Sequence, residues 1–262
     1  MRRNMRNRAI WRMVVALAVV CAFAAAGSRA QEIRDGEALL RAMHDRYANN
    51  WYETLTFQQD SITHNADGTD TTEVWYEAVM LPGKLRIDIG QLNSGNGTLV
   101  ADNTLMRFRN NEITVSRPFV HMLLVLGFDV YRQKAETTIE RVKGQAFDLF
   151  KVHEDTWEDQ PVYVVGADKG DLKSKQFWVE KKRLLFVRLI QPDERDPAKI
   201  NDSRFADYRQ LSVGYVAARV EFYADGKNVF SEIYSNIKVN PKLDPAFFDP
   251  KQFKSPQDKD KK

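Results

Sequence analysis

Residues 73–90, EVWYEAVMLPGKLRIDIG, decide the fold. They read as strand, tight turn, strand, because Pro82 fixes φ and Gly83 accepts φ > 0. Beyond the turn, Leu85, Ile87 and Ile89 alternate with Lys84, Arg86 and Asp88. That is the pattern of a strand with one face in an apolar space and the other in water. Before the turn, Val74, Tyr76, Ala78 and Met80 share one face, and Trp75 and Val79 share the other. Both faces carry apolar groups, so this strand needs cover on both sides. In an antiparallel sheet the second cover is a helix, another sheet or a bound apolar ligand. Which of these it is decides what the protein does.

Upstream, residues 35–48 have Leu39, Leu40, Met43 and Tyr47 at helical spacing, with Asp35 as N-cap and His44 at the boundary of the apolar face. Residues 51–63 are expected to be a strand. Downstream, Asp102-Asn103 reads as a hairpin turn between strands 98–101 and 104–109, and Asn110-Asn111 turns the chain into strand 112–116. The most apolar run outside the leader follows: FVHMLLVLGF, residues 119–128. It is expected to be a helix opened by Pro118 and continuing to about residue 133. Apolar nearly all round, it should be buried or face something apolar. Strand patterns then recur at 138–143, 146–153, 161–167, 175–180, 184–191, 203–211, 216–224 and 227–239, with Asp225-Gly226 turning the last pair. Phe247, Phe248 and Phe253 are expected to seal one end of a core.

The count is about eleven strands or slightly more, without a βαβ rhythm. A single antiparallel sheet of that size must curl as it twists. The expected fold is mainly β (α+β): an open, incomplete antiparallel β-barrel capped by two or more helices. Residues 1–30 are expected to be a cleavable signal peptide, 31–253 the half-barrel domain, and 254–262 a charged disordered tail. The leader has basic Arg2, Arg3, Arg6, Arg8 and Arg12, an apolar stretch at 13–26 too short to span a bilayer, and Ser28-Arg29-Ala30 for cleavage. Val20 before Cys21 argues against a lipoprotein site. The leader implies export to the periplasm.

The leader holds six of the 39 basic residues and none of the 36 acidic ones, so the mature chain has 33 against 36, a net charge of −3. The basic balance therefore belongs to the leader and does not point to nucleic acid. The single Cys also leaves with it, so no disulfide is available. His44, His64, His121 and His153 show no metal-ligand spacing, and no P-loop, GxGxxG or GxSxG motif is present. Carboxylates read as turn and solubility residues. No catalytic group, metal or cofactor is nominated, and the chain is expected not to be an enzyme.

The order of several motifs resembles the LolA/LolB-like outer-membrane lipoprotein-sorting group. They are W-x3-LTFQQ at 51–59, W-x6-PGKLRID at 75–88, LVADN at 99–103, YVVGADKGD at 163–171, QFWVEKKRLLFVRLIQ at 176–191, and a Phe-rich close. The resemblance spans nearly the whole mature chain and implies a hydrophobic cavity for acyl chains. It also implies a monomeric chaperone-like carrier working with inner-membrane and outer-membrane partners. One departure is Leu81 before Pro82, where the lipoprotein carrier has an arginine that holds its lid shut; the nearest cations, Lys84 and Arg86, lie beyond the turn.

The leading expectation is a periplasmic carrier or binder of lipid or lipoprotein acyl chains. The lining should include Trp75, Leu85, Ile87, Phe119, Leu123, Leu124, Phe128 and Phe177. The alternative is a regulatory or scaffold module of the same fold that binds a partner protein in envelope signalling; a hydrolase is the weakest of the three.

Overall fold

The computed structural model describes residues 32–253. The expected signal peptide and charged tail lie outside the described residues. Helix α1 (Gly36–Tyr47) starts at Asp35, whose carboxylate accepts the Ala38 N–H at 2.7 Å, and buries Leu39, Leu40, Met43 and Tyr47 as the spacing requires. Six strands follow: β1 (Thr54–His64), β2 (Asp70–Met80), β3 (Lys84–Ile89), β4 (Gly97–Ala101), β5 (Thr104–Arg109) and β6 (Glu112–Pro118). After a helical segment come β7 (Val152–Trp157), β8 (Gln160–Val165), β9 (Gln176–Glu180), β10 (Leu185–Pro192), β11 (Ile200–Gln210), β12 (Tyr215–Ala224) and β13 (Lys227–Val239).

These strands form one antiparallel sheet in the order β6-β5-β4-β3-β2-β1-β13-β12-β11-β10-β9-β8-β7. The first and last strands pair at its centre, Leu55 opposite Val239 and Thr63 opposite Phe230. Each half is therefore a simple meander, and β6 and β7 are the two outer edges. The chain must travel from one edge to the other between residues 118 and 152. It does so across the inner face of the sheet, as helix α2 (Met122–Gly127), a 3-10 turn (Asp129–Tyr131) and helix α3 (Ala135–Gly144). The apolar residues of this crossing and of α1 join Leu55, Phe57, Val79 and Leu85 from one half of the sheet and Phe186, Phe205 and Val220 from the other in one core.

Three expectations are corrected here. The helix is not one element opened by Pro118. Pro118 ends β6, and His121 caps α2 by accepting the Leu124 N–H on Nδ1 at 3.2 Å. Gly127 closes α2 where a Cβ would stand 2.9 Å from the Phe205 ring, so it serves close approach to the sheet. Residues 138–143 are helix α3, not a strand, and the chain does not resume strand structure until Val152. The β-branched Thr138, Ile139 and Val142 suggested a strand; together with Ala135 they are buried at 3-4 spacing, which is helical. Three α-helices and thirteen strands are thus present among the described residues.

The third correction concerns β3. Leu85 joins the inner core and Ile87 packs against it, but Arg86 and Asp88 do not face water: each side chain is only 1% exposed. They form a bidentate pair, Nε–Oδ2 2.9 Å and Nη2–Oδ1 3.0 Å. The Arg86 guanidinium lies 4.0 Å from the Phe247 ring centre and 4.2 Å from that of Phe253. The C-terminal segment thus covers the outer face of β2–β5, packing its phenylalanines with Ala78, Leu99, Met106 and Phe108. This is the second cover that the two-faced strand required. Among the described residues no helix is long and apolar enough to cross a membrane.

Removing one partner of a buried pair leaves the other charge stranded, at a cost of about 3–5 kcal/mol. Asp88→Asn is therefore expected to lower unfolding free energy by that order in urea melts, while Lys84→Met, on the same strand but only partly buried, changes it little. Equal, small effects for both would mean that the pair is solvated.

Candidate functional site

Beneath α2 the inner face of the sheet leaves a hollow of about 110 Å³. Its roof is His121, Leu123, Leu124 and Phe128. One wall is Val79 and Glu77 from β2 with Leu85 and Ile87 from β3. The other is Phe205 from β11, Val220 and Phe222 from β12, and Glu232 and Tyr234 from β13. Strands β3 and β12 are separated by β2, β1 and β13, so sharing one small hollow requires the sheet to curl around it.

Of the eight residues expected to line a cavity, Leu85, Ile87, Leu123, Leu124 and Phe128 meet here. Trp75 lies one step further along the same face as Glu77, its ring 5.5 Å from Phe230. Phe119 packs against the core beside the roof, edge-on to His121 at 5.5 Å. Phe177 is elsewhere: fully buried, edge-on to Phe147 at 5.8 Å, it fills the core near β9.

The crossing segment is fastened at both sides of the hollow. Buried Asp129, just after α2, accepts the Gly83 N–H at 2.9 Å and pairs with Arg141 of α3 at 3.3 Å. The turn that carries Leu81 instead of arginine is thus tied to the roof through its backbone. Burial raises the Asp129 acid to about 6, against the pull of the Gly83 N–H and Arg141. On the far side, the Phe186 N–H donates to the Tyr131 hydroxyl at 2.8 Å.

Sequence reasoning missed the polar groups in this hollow. Glu77 and Glu232 sit in the same apolar lining, and no Lys or Arg lines it. Glu232 accepts the Tyr234 hydroxyl at 2.8 Å. Burial pushes its acid up to about 7, against the hydrogen bonds from Tyr234 and Gln59. Glu77 is raised well above the ordinary range, first by burial and then by the charge of Glu232. Burial lowers His121 to about 4, so its ring is neutral at neutral pH; with Nδ1 accepting, the proton sits on Nε2. A usable signal was present: Glu77 stands between Trp75 and Val79, and Glu232 between Phe230 and Tyr234, each interrupting an otherwise apolar inward face.

A second, larger depression, about 650 Å³, lies on the outer face between Thr56, Gln58, Tyr76, Ala78, Asn236 and Lys238, walled by Leu92, Leu243 and Phe247. It is a more open groove without a helical roof. The inner hollow is the better candidate because a helix roofs it and strands far apart in the sheet form its walls. No group of three or more His, Cys, Asp or Glu is placed to hold a metal among the described residues.

No protein-family model matches the sequence, and no curated protein does. Solved structures do. A domain described as a putative outer-membrane lipoprotein-sorting protein from Vibrio parahaemolyticus is 14% identical, over 83% of this chain and 97% of that one, with a TM-score of 0.52. A DUF1329-family protein from Desulfovibrio piger is 16% identical, over 82% and 95%, at 0.50. A LolA-superfamily protein from Nitrosomonas europaea is 13% identical over 80% and 96%, at 0.49; the fold assignment rests on the first two. The chain shares the fold of those two structures: an open antiparallel half-barrel with helices across its inner face.

The carboxylate chemistry is testable by linkage. A glutamic acid raised from 4.5 to about 7 holds its proton more tightly folded than unfolded. Its contribution to stability is largest at low pH and falls as pH rises through that interval, by up to roughly 3 kcal/mol. His121 has the opposite sign: it loses stability as pH falls from 6.5 to about 4. The two offset each other, so the difference between variants is the informative quantity. The melting-temperature advantage of Glu232→Gln over the unaltered protein is expected to grow between about pH 5 and about pH 7.5. An advantage independent of pH would mean that Glu232 keeps an ordinary acidity.

Proposed function

We propose that the protein is a periplasmic binder or carrier of lipid or lipoprotein acyl chains, held between α2 and the curled sheet. The observation that carries this reading is the roofed apolar hollow lined by two strand groups far apart in the sheet. The fold shared with the Vibrio lipoprotein-sorting domain supports it, as does the leader read from the sequence.

The hollow holds the volume of about four water molecules, well below the roughly 300 Å³ at which ligand pockets begin. On this reading a guest must enlarge the hollow to be held. A guest enters by displacing α2, which is capped by His121 at its start and restrained after its last turn by Asp129. Each buried methylene contributes about 0.8 kcal/mol, so a ten-carbon stretch offers roughly 8 kcal/mol against the cost of lifting a six-residue helix. No catalytic step is involved: a guest held this way is released by the reverse motion, at inner- and outer-membrane partners.

Organic extracts of the purified protein should contain lipid by mass spectrometry, and the protein should take up a neutral fluorescent fatty alcohol. Val220→Trp, which fills the hollow at an overpacking cost of about 1–3 kcal/mol, should abolish both while the protein still melts cooperatively. Lipid-free extracts together with no probe uptake would overturn the reading. A stoichiometric protein that co-purifies regardless of delipidation would favour the regulatory module instead.

A further inference from the structure

The lining of the hollow is rich in carboxyl groups and poor in basic ones. Glu77 is 8% exposed, opens on the hollow, and makes no hydrogen bond or ion pair with a described residue. Glu232 accepts from the Tyr234 hydroxyl and from the Gln59 amide, and has no cation. Gln59, fully buried on the strand between them, gives its amide N–H to Ser61 at 2.8 Å but its amide oxygen receives nothing. The registers explain the grouping. On one side of β1, Phe57 is opposite Glu77; on the other, Gln59 is opposite Tyr234 and Ser61 opposite Glu232. Glu77 and Glu232 thus flank β1 on opposite sides, opposite Phe57 and Ser61 respectively, and both line the hollow.

A cavity meant only for hydrocarbon gains nothing from two carboxylates; burying polar groups without partners is costly. Elsewhere in this molecule buried carboxylates are matched. Asp88 has Arg86, Asp129 has Arg141, and Asp202 has Arg188 and Arg204. Among the described residues, no cation pairs with either inner glutamate. The neutral His121 ring in the roof adds an Nε2–H donor but no charge at neutral pH.

We propose that the guest is a cationic amphiphile, whose protonated amine is received by Glu77 and Glu232 while its hydrocarbon lies along Leu85, Leu124 and Val220. An ammonium supplies three donors and one positive charge, which satisfies the open acceptors together. The same arrangement repels a fatty-acid carboxylate. This inference deepens the acyl-chain reading and rests on it.

The test uses four probes on the full mature chain, each below its micelle concentration: decylamine, decanol, decanoate and butylamine, measured by displacement of the fluorescent fatty alcohol. Decylamine should bind about ten- to hundredfold more tightly than decanol, the span expected for charge-assisted hydrogen bonds, and decanoate and butylamine should bind more weakly than either. In Glu77→Gln/Glu232→Gln, decanol binding should persist and the amine preference should vanish. These substitutions are isosteric, so cooperative melting is expected to survive them. Decylamine no tighter than decanol, a preference that survives the double substitution, or butylamine equal to decylamine would each overturn the proposal, with hydrocarbon binding left standing. If none of the ten-carbon probes binds, the acyl-chain reading falls and this proposal with it.

Discussion

One topological constraint governs this molecule: the strands on either side of the helical segment lie at opposite edges of a thirteen-stranded sheet. The linking chain cannot make a hairpin. It must cross a face, and a segment as apolar as MLLVLG can cross only the face that is shielded from water. The sheet in turn curls around it, because its inner strands carry more apolar surface than a flat face could hide. The hollow follows from this arrangement. A short helix laid across a concave sheet touches both walls but does not fill the space below its centre.

Charge is treated differently on the two faces. Outside, each half of the sheet buries an arginine–aspartate pair under aromatic rings: Arg86–Asp88 beneath Phe247 and Phe253, and Arg188–Asp202 against Trp157 and Trp178. In Asp202 the bonds from Arg188 and Arg204 outweigh the largest single influence, burial, and leave the acid below its ordinary value. Inside, the carboxylates have no such partners and their acids move upward. The outer pairs are structural: Asp88 accepts from Arg86 and the Asn93 N–H, and Asp202 from Arg188 and Arg204. The inner acids have no such cation among the described residues.

Much of the sheet was legible because its signals are local. Asp102 and Asn103, both at positive φ, turn the hairpin that their residue types announced, as do Asp225-Gly226 and Gly83. The helical crossing was harder. Thr138, Ile139 and Val142 have strand-forming side chains, and only their packing against α1 and the turn at Asp129–Tyr131 makes them helical. Five of the eight expected lining residues meet in the hollow because alternation identifies which residues share a face. Phe177 shares an apolar face as well, but its part of the sheet is filled by its own neighbours.

The amino-acid pattern alone determined an antiparallel β protein with Leu85 and Ile87 facing inward and an apolar helix after the sixth strand. Period-two alternation and turn chemistry act within a few residues, so they can be read without knowing the rest. What lies opposite a face was decided by the tertiary structure. Arg86 alternates like a solvent-facing residue, yet it is buried because Phe247 and Phe253 return from the far end of the chain. Glu77 and Glu232 look like ordinary strand carboxylates until the pairing of β1 with both β2 and β13 sets them in one hollow. Their meeting depends on contacts between residues remote in sequence, and no local rule encodes those.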